Sequence, residues 1–159
     1  MTTATLSTVA AGFRHHPISC FAAGFISVLV FQMGAWAIMY ALGMTTNAPF
    51  GYAPTKPFGV PQIWSFAFWG GVWGLIYGAV ERWFPEGPMY YVAAFLFGAI
   101  FPVLVLWFIA SPLKGGAVAA GWNPVTMLFH IIMHGCFGLG VGVLLTYRDG
   151  RRARRPARC

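Results

Sequence analysis

Residues 125–147 read VTMLFHIIMHGCFGLGVGVLLTY and contain no Asp, Glu, Lys or Arg. An α-helix needs about 20 apolar residues to cross the hydrocarbon core of a bilayer, and this stretch is long enough. In lipid, backbone polar groups must pair within their own segment, which a helix achieves. The stretch therefore predicts a transmembrane helix that carries two histidines and a series of glycines.

Three further uncharged stretches precede it, at residues 18–42, 62–80 and 89–111. Hydrophobic residues make up 58% of the chain and charged residues only 8%, whereas soluble domains carry about 25% charged residues. A chain of 159 residues cannot enclose four helices that are apolar on all sides, so lipid must cover much of their surface. We expect an all-α integral membrane protein, with one four-helix transmembrane domain at residues 1–147 and a basic tail at 148–159.

The basic residues indicate an orientation. Arg14 precedes the first stretch and Arg82 separates the second from the third, while the two other loops hold only Lys56 and Lys114. The tail holds six more arginines: Arg148, Arg151, Arg152, Arg154, Arg155 and Arg158. Because basic residues concentrate in cytoplasmic segments, both termini are expected in the cytoplasm, below a bacterial-type inner membrane. The tail should also contact anionic lipid head groups. Nucleic-acid binding is not expected, because no folded reading motif accompanies the arginines.

The chain has the pattern of an internal repeat. The second and fourth stretches align at a separation of 64 residues, which matches Gly71, Gly74 and Gly78 with Gly135, Gly138 and Gly142. The first and third match through the tripeptide VLV at 28–30 and 103–105, and a Pro-x-Lys motif precedes each even-numbered stretch. Since each hairpin would begin and end on the same side, the pattern predicts a parallel tandem repeat of two helical hairpins.

Glycines recur every fourth residue in both even-numbered stretches. Small residues at this spacing allow two helix backbones to approach closely in a membrane. We therefore predict that these glycines pack the helices of the bundle: Gly70, Gly74, Gly78, Gly138 and Gly142.

The two histidines in the last stretch are the main chemical feature of the sequence. His130 and His134 are four residues apart and should point to one face of the helix. Imidazole is a ligand for zinc, copper, iron and nickel, and the sulfur atoms of Met33 and Met133 would favour copper(I). Haem b is the other candidate cofactor, with a second subunit or a methionine supplying the opposite ligand. Two readings stay open beside this one: structural histidines that hydrogen-bond across a helix interface, and a polar-ligand or quinone site.

Few residues suit catalysis. The only acids are Glu81, Glu86 and Asp149, all expected at the cytoplasmic side, and no phosphate-binding GxxxxGK motif occurs. The leading hypothesis is a non-enzymatic ligand-binding module or an accessory subunit, acting as a homo-oligomer or within a larger membrane complex. One alternative is a haem or metal redox protein that uses the histidine pair. Another is a small transporter of an anionic or apolar solute, whose ligand-binding candidates are Lys56, Lys114 and Gln32.

Overall fold

The computed structural model describes residues 14–55 and 58–153, with side chains described up to residue 148. Four long helices make up the fold: α1 (Pro17–Ala41), α2 (Gln62–Val80), α3 (Pro88–Leu113) and α4 (Pro124–Ala153). Each is long and apolar enough to cross a membrane, so the prediction of four such helices is confirmed. The first three begin and end within two residues of the uncharged stretches, whereas α4 continues into the predicted tail. Residues 154–159 of that tail lie outside the described part.

The helix starts follow from local sequence. Proline stands at the first position of α1 and α3, where its fixed φ suits the helix and its missing N–H is not needed. Gly87 precedes α3 with a φ of 70°, a conformation that glycine adopts without strain. Before α4, the side chain of Asn123 accepts hydrogen bonds from the amides of Val125 and Thr126 and so caps the helix.

Two longer loops join α1 to α2 at residues 42–61 and α3 to α4 at residues 114–123. Between α1 and α2, strand β1 (Pro54–Thr55) pairs antiparallel with β2 (Val60–Pro61). Between α3 and α4, a 3₁₀ segment covers Val118–Trp122 and contains a left-handed turn at Ala119 and Ala120.

Both odd-numbered helices contain a π-helical turn, at Val28–Gln32 in α1 and at Leu106–Ala110 in α3. The sequence places a proline at 102, where a kink is expected because proline cannot donate to the helix ladder. The helix continues through Pro102, and the π turn begins four residues later. A π turn adds a residue to one turn and so rotates the faces of the residues that follow.

The helices run alternately up and down. Arg14, Glu81, Tyr90 and Thr146 line one cavity, so α1 begins, α2 ends, α3 begins and α4 ends at the same end of the bundle. Helix α1 packs against α2 and α4, and α3 packs against α4.

Within each hairpin, the two helices touch backbone to backbone. A Cβ atom on Gly24 of α1 would lie 2.1 Å from the carbonyl oxygen of Gly70 in α2, and one on Gly98 of α3 would lie 2.1 Å from that of His134 in α4. The reciprocal contacts involve Gly74 and Gly138, whose Cβ atoms would lie 2.2 Å from a carbonyl oxygen of the partner helix. No side chain fits in such a gap, and the arrangement suits Cα–H···O contacts between helices.

Phenylalanine rings extend these contacts in the same way in both hairpins. The ring of Phe21 lies 2.5 Å from the Cβ position of Gly71, and the ring of Phe95 lies 2.4 Å from that of Gly135. Phe95 follows Phe21 by 74 residues, as Gly98 follows Gly24. The contacts thus align α1 with α3 at 74 residues, one fewer than the separation of the two VLV tripeptides.

The two remaining helix interfaces differ from each other. Between α1 and α4, Ser27 Oγ donates a hydrogen bond of 2.6 Å to the carbonyl of Phe137, and Gly140 leaves room for Phe31. Between α2 and α3, large rings fill the space instead: Trp73, Tyr77, Phe84, Tyr90 and Phe97. The interface between α1 and α4 is therefore closely packed, whereas the interface between α2 and α3 is filled by aromatic rings.

Candidate functional site

A cavity of about 540 Å³ opens at the end of the bundle where α1 and α3 begin. Its lining combines charged, aromatic and hydroxyl side chains with a proline and a glycine: Arg14, His15, Glu81, Pro85, Glu86, Gly87, Tyr90, Tyr91 and Thr146. We call it the end cavity. Every helix of the bundle contributes to it or adjoins it, so its shape depends on the whole fold.

Glu81 is the buried charged group of the end cavity. It begins the 3₁₀ turn Glu81–Trp83 that ends α2, and only 1% of its surface is exposed. Tyr90 of α3 donates a hydrogen bond to Oε1. His15 Nε2 lies 3.3 Å from Oε1 and 3.1 Å from Oε2. A buried carboxylate is costly unless it is paired and hydrogen-bonded, and these two residues from other elements supply part of that compensation.

A second tyrosine extends the hydrogen bonds into the core. Tyr77 is fully buried, and its hydroxyl donates to the hydroxyl of Tyr90 at 3.1 Å. The hydroxyls of both tyrosines and the histidine ring thus converge on Glu81 as the final acceptor. Gly142 gives this pair its room, since a Cβ there would lie 2.9 Å from Tyr77 Oη and 3.2 Å from the Tyr90 ring.

The mouth of the end cavity is more exposed. Arg14 and Glu86 form a loose ion pair of 4.0 Å, with 92% of the Glu86 side chain exposed. The rings of Tyr90 and Tyr91 are nearly perpendicular at 5.4 Å between centroids. The Thr146 hydroxyl donates to the carbonyl of Gly142 at 2.9 Å, so Tyr91 must be the donor in the 3.4 Å bond between the two hydroxyls.

Sequence reasoning missed this site. Its two most buried polar residues, His15 and Glu81, are 66 positions apart, and no local motif links them. The predicted topology did contain a signal, because it placed the residues before the first helix, the second loop and the tail at one end. Comparing the ionisable residues expected at that end would have brought His15, Glu81 and Glu86 together.

The histidine pair lies elsewhere, on α4. Trp107 Nε1 of α3 donates a hydrogen bond of 3.0 Å to His130 Nδ1. Because the indole N–H can only donate, His130 Nδ1 carries no proton and the neutral ring is protonated at Nε2. His134 Nδ1 lies 2.9 Å from the carbonyl oxygen of His130, which can only accept, so this ring is protonated at Nδ1.

The two histidines are thus protonated on different ring nitrogens, and this affects how each could bind a metal. A histidine that binds a metal through Nε2 donates a hydrogen bond from Nδ1. His134 has this arrangement, whereas His130 would have to give up its bond to Trp107. Among the described residues, no three His, Cys, Asp or Glu side chains form a group that could hold a metal ion. The ring centroids are 6.4 Å apart.

The other candidate ligands are dispersed. Met33 belongs to the main core cluster, and Met133 packs with Met39 and Phe129 in a separate one. Gln32 is buried at the end of the π turn in α1, and its side chain makes no hydrogen bond within the described residues. Lys114 is exposed after α3, and Lys56 lies outside the described part of the chain.

The predicted packing glycines are all buried. Gly70, Gly74 and Gly138 lie in the close contacts within the hairpins, and Gly142 lies beside the two tyrosines. Gly78 is buried on α2.

No known protein family, curated protein or solved structure matches this chain. The fold and site define it as a bundle of four apolar helices with a polar cavity at one end. Its function has to be argued from that geometry.

Proposed function

We propose that the four helices cross a bilayer as a multi-pass protein of a bacterial-type inner membrane, with both termini and the end cavity in the cytoplasm. The apolar character and length of the helices support insertion. Arg14, Arg82 and Arg148 cluster at the end with the cavity, and Lys114 lies at the opposite end, which supports the orientation. On this topology the arginine-rich tail would meet anionic lipid head groups.

We further propose that the two hairpins are copies of one ancestral unit, related by a parallel pseudo-twofold axis. The matched contacts of Gly24 with Gly98, and of Phe21 with Phe95, support this relation. The differing interfaces would then reflect divergence: Gly140 and Ser27 lie between α1 and α4, whereas the repeat offsets give Ile76 and Phe101, which are exposed, at the matching positions of α2 and α3.

The proposed function is the binding of a small polar ligand in the end cavity, as a ligand-binding module or as a subunit of a membrane complex. One observation supports it above the others: a fully buried carboxylate, Glu81, forms part of the wall of an open cavity of about 540 Å³. Tyr90 and His15 fix that carboxylate in place. A fixed charge of this kind suits recognition, because it costs no rearrangement when a ligand arrives.

The test is ligand-dependent stability of the purified protein in detergent. A ligand that binds only the folded state raises the unfolding temperature. We would use three small probes at millimolar concentration: agmatine as a cation, arginine as a zwitterion with the same side chain, and succinate as an anion. At least one should raise the unfolding temperature of the wild type. No shift with any of the three would refute ligand binding in the end cavity.

The haem or copper alternative has one observation in its favour. His134 Nδ1 is directed to a carbonyl, which leaves its Nε2 as a lone-pair donor. The partner ligand would come from a second subunit or a methionine. Metal analysis and a visible absorption spectrum of the purified protein test this alternative directly.

A further inference from the structure

We infer that the end cavity takes a small organic cation, a molecule whose ammonium or guanidinium group lies between the carboxylates of Glu81 and Glu86 and the rings of Tyr90 and Tyr91. This inference rests on the proposed ligand-binding function and names the class of ligand. It follows from which hydrogen-bonding groups of the wall are already used and which are not.

In the wall of the end cavity, carboxylate oxygens are the groups that can still accept hydrogen bonds. A carboxylate offers about four lone-pair sites, and Glu81 accepts from Tyr90 and His15. Its Oε2 lies 3.1 Å from His15 Nε2 but makes no hydrogen bond within the described residues. At the mouth, Glu86 has only the loose 4.0 Å contact with Arg14. A ligand that brings N–H donors would use both carboxylates.

The hydroxyl and imidazole donors of the wall are directed to other protein atoms. Tyr90 and His15 donate to Glu81, Tyr91 donates to Thr146, and Thr146 donates to the backbone of α4. An anion entering the cavity would therefore meet two carboxylates, with the guanidinium of Arg14 at the mouth as the main free donor. The electrostatic balance of the inner wall disfavours it.

The aromatic rings add a second cation-binding feature. Ring faces carry a negative quadrupole and attract ammonium and guanidinium groups within about 6 Å. The rings of Tyr90 and Tyr91 are nearly perpendicular, and both residues line the end cavity together with Glu81 and Glu86. This combination of acid and ring suits a cation better than a neutral polar molecule.

Arg14 already places a cationic group next to Glu86. Its guanidinium lies at the mouth of the end cavity and pairs loosely with Glu86, while half of its side chain stays exposed. Arg14 thus acts as a tethered competitor for the outer part of the site. A free cation must displace it or share Glu86 with it.

The experiment uses isothermal titration calorimetry to measure the binding of agmatine to the purified protein. Agmatine carries an ammonium and a guanidinium group but no acid. Arg14→Gln should tighten agmatine binding by about two- to fivefold, the scale of one exposed charge interaction. Glu86→Gln should weaken it by a similar factor. Glu81→Gln should abolish it. Arg82→Gln is the matched control, because it removes the same charge from a residue that stacks on Trp83 and does not line the end cavity, and binding should be unchanged.

The outcomes separate this inference from the proposed function. If succinate binds more tightly than agmatine, or if Arg14→Gln weakens binding, the cation inference is wrong while ligand binding stands. If no probe binds, the proposed function itself fails. Should Glu81→Gln not fold, Glu86→Gln still decides the question, because Glu86 is 92% exposed and its replacement leaves the core intact.

Discussion

At the scale of single residues, burial makes the hydrogen bonds of Glu81 expensive to lose. The side chain is only 1% exposed, so solvent compensates poorly for a lost protein donor. Tyr90 and His15 supply its described hydrogen bonds from two different elements. Removing one donor from a buried charge costs more than an ordinary hydrogen bond, because the group stays buried without full compensation.

We expect Tyr90→Phe to lower the free energy of unfolding by about 1.5–3 kcal/mol, the value of a hydrogen bond to a charged group. Tyr91→Phe is the matched control: its ring lies next in sequence but is exposed, and its 3.4 Å bond to Thr146 is long. The control should stay within about 0.5 kcal/mol of wild type. Equilibrium unfolding in mixed detergent measures both, and equal effects would show that Glu81 does not depend on Tyr90.

The Trp107–His130 bond allows a second residue-scale prediction. Interhelical hydrogen bonds in membrane proteins average about 0.6 kcal/mol and reach about 1.7 kcal/mol in double-mutant cycles. A cycle of Trp107→Phe and His130→Ala should give a coupling energy in that range. A coupling near zero would mean that the bond does not stabilise the bundle, and the structural reading of His130 would lose its support.

At the scale of helices, close contact depends on a few glycines in both hairpins. At Gly24 and Gly98, the carbonyl oxygen of the neighbouring helix occupies the place of a Cβ atom. Backbone atoms cannot move aside as a flexible side chain can, so a methyl group there must push two helices apart. By contrast, Gly34 of α1 has no atom within 4 Å of its Cβ position.

We therefore expect Gly24→Ala and Gly98→Ala to destabilise the bundle, each by about 1–3 kcal/mol or more, as overpacking does. Gly34→Ala lies in α1 like Gly24 and should be neutral or stabilising by up to about 1 kcal/mol, because alanine favours the helix. Thermal unfolding in detergent gives the three values. If Gly24→Ala behaves like Gly34→Ala, the backbone contact between α1 and α2 is not as close as described.

At the scale of the whole molecule, the two ends of the bundle differ in chemistry. The end with the cavity gathers His15, Glu81 and Glu86 with the described arginines Arg14, Arg82 and Arg148. The other end carries the two longer loops, with Lys114 as their described basic residue. Basic residues concentrate on the cytoplasmic side of membrane proteins, so this asymmetry indicates the orientation in which the bundle would insert. On the proposed orientation, a ligand of the end cavity would arrive from the cytoplasm.

The orientation predicts a labelling pattern in intact cells. In a background without Cys20, Cys136 and Cys159, a cysteine at Lys114 should react with a membrane-impermeant maleimide. A cysteine at Glu86 should react only after the cells are permeabilised, because the proposed orientation places that loop in the cytoplasm. Labelling of Glu86→Cys in intact cells would invert the topology and place the end cavity outside.

The sequence by itself determined the four helices and where most of them begin. Uncharged length decides whether a segment is apolar enough to span, and signals such as Pro17, Pro88 and Asn123 act within one helical turn. The placement of His130 and His134 on one helix face is also decided locally, because residues four apart in a helix lie on the same side. The predicted fourth span at 125–147 agrees with the apolar part of α4, Pro124–Arg148, and the helix continues to Ala153 through polar turns that uncharged length does not mark.

Only the tertiary structure decided the partners of these side chains. Glu81 meets His15 across 66 positions, and Trp107 meets His130 across 23. Such pairs depend on the rotation and depth of each helix, which the π turns and the glycine contacts set. Because the contacts depend on helix rotation, they align α1 with α3 at 74 residues, one fewer than the separation of the two VLV tripeptides. Helix formation is governed by forces within a few residues, whereas the end cavity exists because four separate helix ends converge.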